Sequence, residues 1–201
     1  MKETKPFILF GASGHGKVIA EILEETGGNI HSFFDQDLSK KELLTYVVNH
    51  SLEQIEQNKF HWLISVGNNL TRRKIVEQYT FDYGTAIHPG THLSKRIDIG
   101  EGTVIMSGVC INSDTVVGRH VIINTSASVD HDCVLEDYVH VSPGAILTGN
   151  IYVGEGTHIG AGATIIPGIR IGKWCTIGAG AVIIRDVPDG AKVVGVPGKI
   201  I

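Results

Sequence analysis

The sequence predicts a two-part chain: a small α/β unit of βαβ order, then a parallel β-helix of triangular, eighteen-residue coils. Three observations predict this. An aliphatic residue recurs at every sixth position: Ile87, Leu93, Ile99, Ile105, Ile111, Val117, Ile123, Val129, Leu135, Val141, Leu147, Val153, Ile159, Ile165, Ile171, Ile177 and Ile183. Two places before it stands a small or β-branched residue, as at Thr103, Val109, Thr115, Val121, Ala127, Cys133, Val139 and Ala145. Near the N-terminus, the apolar run Phe7-Ile8-Leu9-Phe10 closes in the turn Gly11-Ala12-Ser13-Gly14-His15-Gly16. A helix repeats every 3.6 residues and a simple strand every 2. A period of six fits neither, but it fits three flat faces per coil of a solenoid.

The N-terminal elements follow in order. Phe7–Phe10 reads as a buried strand and Lys17–Leu23 as an apolar-faced helix, closed by Gly27-Gly28. Ile30–Phe34 is a second strand, ending in Asp35-Gln36-Asp37. Trp62–Val66 is a third, ending in Gly67-Asn68-Asn69, with a basic helix from about Thr71 to Gln78. This order is Rossmann-like, with a Gly-rich turn at a strand's end and an acid about twenty positions on. Free N–H groups at such a turn suit a pyrophosphate, and Asp35 suits a ribose hydroxyl. The three strand-end loops should gather at one sheet edge, where ligands bind. So small a unit suits a mononucleotide or nucleotide sugar better than a dinucleotide.

In the coils, Gly often follows the aliphatic residue, as at Gly100, Gly118, Gly154, Gly160, Gly172 and Gly178. The expectation is that it turns the corner with positive φ. The aliphatic residues should point inward and stack coil on coil at roughly 4.8 Å. The unbroken period predicts that no long loop leaves the coils. These limits divide the chain into residues 1–83 (nucleotide-sugar domain), 84–188 (β-helix) and 189–201 (tail).

A net charge of −4 and a pI near 6.2 argue against nucleic-acid or anionic-membrane partners. Cys110, Cys133 and Cys175 are odd in number, and the last two occupy the small-residue position. They read as packing residues in a reducing cytoplasm. The run after Met1-Lys2-Glu3-Thr4-Lys5-Pro6 is too short for a signal peptide or a membrane span.

The hexads resemble those of the hexapeptide-repeat acyltransferases, which implies a left-handed β-helix and a homotrimer with sites between subunits. Together with residues 11–16, Gly67-Asn68-Asn69 and the closing Val194-Gly195-Val196-Pro197-Gly198-Lys199, the chain resembles the sialic acid O-acetyltransferase family. Within it, the resemblance is to UDP-4-amino-sugar N-acetyltransferases of the bacillosamine type. It implies acetyl-CoA as donor, a UDP-amino-sugar as acceptor and no metal. It also implies that Ser13, Gly14, His15, Asp35, Gln36 and Gly67 contact the nucleotide sugar. Gln36 stands where relatives carry a second acid, and Leu70 replaces a polar residue.

Amide formation needs a base for the attacking amine, a donor for the tetrahedral oxyanion and alignment of both reactants. Histidine titrates in the right range. Asp130-His131-Asp132 puts two acids and a His at one corner and matches the family's acid-His-acid motif, so His131 is the expected base. Asp132, where relatives carry Glu, would orient it. Adding eighteen to 131 gives Gly149, which should stack against His131; the resemblance makes its N–H an oxyanion donor. The resemblance further assigns Asn124 to the reacting substrate and His140, Ala161 and Ala179 to CoA. His158 lies one coil beyond His140. Arg170, Lys173, Arg185 and Lys199 are cations within reach of a CoA groove. The alternatives are sialic acid O-acetylation, a GDP- or dTDP-amino-sugar acceptor, a zinc hydrase using His131, His140 and His158, and a non-catalytic scaffold.

Overall fold

The computed structural model describes residues 5–201; the charged start Met1–Thr4 lies outside the described residues. The N-terminal part holds β1 (Phe7–Phe10), α1 (Gly14–Glu25), β2 (Ile30–Phe34), β3 (Glu42–Leu43), β4 (Tyr46–Asn49), β5 (His61–Ile64) and α2 (Asn69–Gln78). The sheet order is β3-β4-β2-β1-β5, parallel except for the β3–β4 hairpin. The sequence reading missed that hairpin. Its strands are short, and its turn is made by Leu44 at φ 56° rather than by a Gly or Asn that would have announced it.

From residue 86 onward, a two-residue strand forms at each hexad and ends on the aliphatic residue. From Ala86–Ile87 to Thr164–Ile165, every strand pairs in parallel with the one eighteen residues on, as His140 with His158 and Ser128 with Ile146; at the last coil the step shortens to sixteen, as Thr176 with Lys192. This builds three faces of a left-handed parallel β-helix. The first face begins at Ala86–Ile87, the second at His92–Leu93 and the third at Asp98–Ile99. The aliphatic residues from Ile105 to Ile183 are at most 2% exposed and form one continuous core. Each such side chain contributes about 1.5–3 kcal/mol on burial. No long loop leaves the coils, because a strand recurs every six residues throughout.

The residues two places before the aliphatic ones close the inner corners. Thr115 and Thr157 donate to the carbonyls of Asp130 and Gly172 and accept the N–H groups of Cys133 and Cys175. Cys133 and Cys175 are buried, with Sγ 3.2 and 3.1 Å from the carbonyls of Thr148 and Pro188. All three cysteines are free thiols.

The expectation for the corner glycines is corrected in one respect. Gly100, Gly154 and Gly160 do not have positive φ; a Cβ there would come within 2.6 Å of the next coil's backbone. They are small because the coils touch. The left-handed residue comes two places later, for example Asp114, Ser126, Asp132, Gly144 and Asn150. Asp and Asn tolerate that conformation better than most residues.

The two parts share packing. The first face's Ala86, Val104, Met106 and Ile122 join α1 and β2 in one buried cluster. Helix α2, capped by Asn68 Oδ1 accepting from Thr71 N–H at 2.9 Å, lies on the corner between the third and first faces. Asn69 donates to the Gly156 carbonyl (3.0 Å), and Arg73 sits 5.3 Å over the Trp174 ring. The tail adds an antiparallel pair, Lys192–Val194 with Lys199–Ile200, to the first face. None of the described helices is long and apolar enough to cross a membrane.

Candidate active site

The three N-terminal loops meet where β1, β2 and β5 end. Gly11 N–H donates to the Phe34 carbonyl (2.7 Å), and Ser65 Oγ donates to the Gly11 carbonyl (2.6 Å). Gly11 (φ +118°) and Gly16 are required by packing: a Cβ would come within 2.8 Å of Val66 and 2.7 Å of the Gly11 carbonyl oxygen. Gly14 and Gly67 differ, because a Cβ on either would meet nothing within 4 Å. Packing within the chain does not require glycine at either position. Ser13 is exposed at the N-cap of α1 and spends no side-chain hydrogen bond on the helix.

Asp35 holds this edge together. Its carboxylate accepts from Ala12 N–H (2.8 Å), Asp37 N–H (2.9 Å) and Lys40 Nζ (2.7 Å). Desolvation opposes its charge, but Lys40 and the two N–H groups outweigh that and hold its pKa below the ordinary value. Gln36 beside it is exposed.

Where this edge meets the β-helix, histidines collect. The His15 ring lies 6.5 Å from that of His140, which stacks at 4.9 Å on His158. His140 Nδ1 donates to the Gly67 carbonyl at 3.3 Å, and Asn124 Nδ2 lies 3.4 Å from His140 Nε2. The carbonyl accepts only, so Nδ1 carries the proton and Nε2 accepts from Asn124. His158 Nε2 is 2.7 Å from Ser142 Oγ. Burial pushes His15 down to about 4 and His140 to about 3, so both rings are neutral at pH 7. His15 Nε2 is buried without a partner.

His131 occupies a different edge, the corner between the second and third faces. Its Nδ1 is 2.7 Å from Asp132 Oδ2, and its backbone N–H donates to Asp130 Oδ1 at 2.9 Å. The Asp132 hydrogen bond first, and the Asp130 charge second, raise its pKa. With Nδ1–H given to a carboxylate, the Nε2 lone pair is free to take a proton. Gly149 lies one coil on, and a Cβ there would come within 2.9 Å of Nε2. Among the described residues, the Gly149 N–H donates to nothing.

Thr125, Pro143, Ala161 and Ala179 follow one another at eighteen-residue steps along the corner that begins at Asn124. Beside them, a Cβ on Gly144, Gly162 or Gly180 would meet nothing within 4 Å. The result is an open strip nearly free of side chains. The four cations scatter. Arg170 stacks 4.1 Å over Tyr152, and Lys173 is 3.7 Å from Glu136. Arg185 and Lys199 line a cavity of about 300 Å³ between the last coil and the tail. No three His, Cys, Asp or Glu among the described residues are grouped to hold a metal ion.

The sequence reading missed Arg72 because nothing in a basic helix marks one arginine as buried. It is 1% exposed, while its neighbour Arg73 faces solvent and pairs with Glu77.

The fold and these edges are shared with known proteins. Residues 6–79 match the PglD N-terminal domain, and 150–185 match the bacterial transferase hexapeptide (six repeats). The acetyltransferase domain of PglB from Neisseria gonorrhoeae is 37% identical over 98% of this chain and 100% of its own, with a TM-score of 0.93. A variant of perosamine N-acetyltransferase from Caulobacter crescentus, solved with CoA and GDP-perosamine, is 36% identical over 98% and 96%, with a TM-score of 0.92. WeeI from Acinetobacter baumannii AYE is 31% identical over 98% and 100%, with a TM-score of 0.90. No curated protein sequence matches the chain. These likenesses run end to end, and the chain belongs to the acetyl-CoA-dependent sugar N-acetyltransferases that join a PglD-type N-terminal domain to a hexapeptide-repeat β-helix.

Proposed function

We propose that the chain acetylates the 4-amino group of a nucleotide-linked amino sugar. The acceptor is UDP-4-amino-4,6-dideoxy-N-acetylglucosamine and the product UDP-N,N'-diacetylbacillosamine. The observation that carries the reading is the His131 corner: a carboxylate on Nδ1, a free Nε2 and Gly149 directly against the ring. The sugar amine attacks the thioester carbonyl, and the carbonyl oxygen becomes an oxyanion that the Gly149 N–H stabilises. His131 Nε2 takes the amine proton, the C–S bond breaks, and the imidazolium passes that proton to the departing CoA thiolate. Asp132 orients the imidazole and stabilises its charge.

The unneeded side chains at Gly14 and Gly67, the uncommitted Ser13 hydroxyl and the unpartnered His15 Nε2 support a nucleotide sugar over the N-terminal loops. Asp35 and Gln36 border that space. Asn124 and His140 face the reaction, and CoA runs along the strip of Ala161 and Ala179. His131 and Asn124 sit on different corners of the coil. A homotrimer would complete each site with one copy's His131 and the next copy's loops. Free buried thiols support a reducing, cytoplasmic setting.

A GDP-linked acceptor is the second reading, favoured by the Caulobacter relative solved with GDP-perosamine. The test is thiol release from acetyl-CoA with UDP-, dTDP- and GDP-4-amino sugars and with sialic acid. Turnover confined to the UDP sugar supports the first reading. Turnover confined to the GDP sugar selects the second, and turnover with sialic acid alone overturns both.

A further inference from the structure

Arg72 carries the most deeply buried charge among the described residues, and no carboxylate hydrogen-bonds to it. Its guanidinium has five N–H donors, and five neutral oxygens receive them. Nε donates to the His120 carbonyl (2.8 Å), Nη1 to those of Val66 (3.1 Å) and Gly67 (3.3 Å), and Nη2 to Asn69 Oδ1 (3.0 Å) and the Tyr138 carbonyl (2.9 Å). Two of these oxygens belong to the loop after β5 and two to successive coils. One group therefore ties the nucleotide-facing loop to the β-helix.

Gly67 makes this more than a domain clamp. Its carbonyl receives both Arg72 Nη1 and His140 Nδ1. We propose that Arg72 is a positioning residue for acetyl transfer: it pins the Gly67 carbonyl, and that carbonyl fixes the ring plane and tautomer of His140 and the height of the loop over the coils. This rests on the preceding reading of Gly67 and His140 as ligand-facing groups.

The charge acts in the same direction. After desolvation, which comes first for each ring, Arg72 disfavours protonation of His15 and His158 and adds to the same effect at His140. A clamp built on a carboxylate would lack that field. Lysine cannot replace it, since three donors on a flexible stem cannot reach five oxygens.

Two measurements test the proposal. Nitrogen-15 NMR of the wild type should show His140 protonated at Nδ1, with Nε2 as acceptor; an Nε2–H tautomer overturns it. Arg72→Lys should remain folded and lose roughly a hundredfold in kcat/KM, the scale of a misplaced reacting group. The KM values for both substrates should rise, and His140 should become a mixture of tautomers. A folded Arg72→Lys with wild-type KM values and one His140 tautomer overturns the proposal. If that variant does not fold, the wild-type tautomer decides alone. An inactive wild type would count against the substrate reading, while the tautomer would still judge the arginine.

Discussion

Two groups of histidines in this chain live under opposite conditions. His131 stands at an open corner, its side chain 58% exposed, between two aspartates that favour its charged form. His15 and His140 lie where the two parts meet, desolvated and held neutral. The same side chain is therefore offered for two tasks. The first ring is held toward its charged form; the other two stay neutral near neutral pH, and the partners of His140 fix its donor and acceptor pattern as well. A base needs the former and a binding surface the latter.

The largest expected contrast is in turnover. His131→Ala should lower kcat by about 10²–10⁴-fold, while the melting temperature barely moves, because the side chain is exposed. Equal losses of stability and activity would break the comparison. Gly149→Ala comes next: its Cβ must push the His131 ring aside, and kcat should fall by roughly tenfold or more. Steady-state kinetics beside an unfolding curve separates that from a general loss of fold.

The pH profile sharpens the contrast further. A base must be neutral to act, so kcat/KM should rise with pH along a limb centred above 6.5, the ordinary histidine value. Asp132→Asn should move that limb to lower pH. A limb that stays in place would remove Asp132 from the tuning role.

The smallest effect is on stability, and its sign differs between the groups. A raised pKa at His131 favours the fold at low pH and loses that contribution as pH rises through the folded value. The depressed pKa values of His15 and His140 work the other way. Their contribution is complete above about pH 6.5 and is lost as pH falls toward about 4 for His15 and about 3 for His140. Melting temperature should therefore drop on acidification through that window, and His140→Asn should flatten the drop.

The coils were legible because one period governs them. Counting in eighteens along the sequence puts Gly149 against His131 and His158 beside His140, as they stand in the fold. The strand-turn-helix at residues 7–25 was legible because glycine and apolar runs punctuate it. Three things were not. The left-handed corner position is filled by residues as different as Asp132, Tyr138 and Trp174, so composition hides it. The β3–β4 hairpin lacks a turn signal. Arg72 is held by backbone carbonyls, two of them 48 and 66 residues away, and backbone oxygens carry no sequence signature.

The unbroken register also restricts how such a chain can vary in length. Inserting one residue between 87 and 183 would turn every later inward side chain out of line. Six would restore the inward pattern but rotate all that follows onto the next face; placed between His131 and Gly149, they would part the two. Only a whole coil of eighteen preserves both. Length that keeps the register then changes in whole coils, each adding about 4.8 Å to the axis, so the β-helix counts its own height in fixed steps.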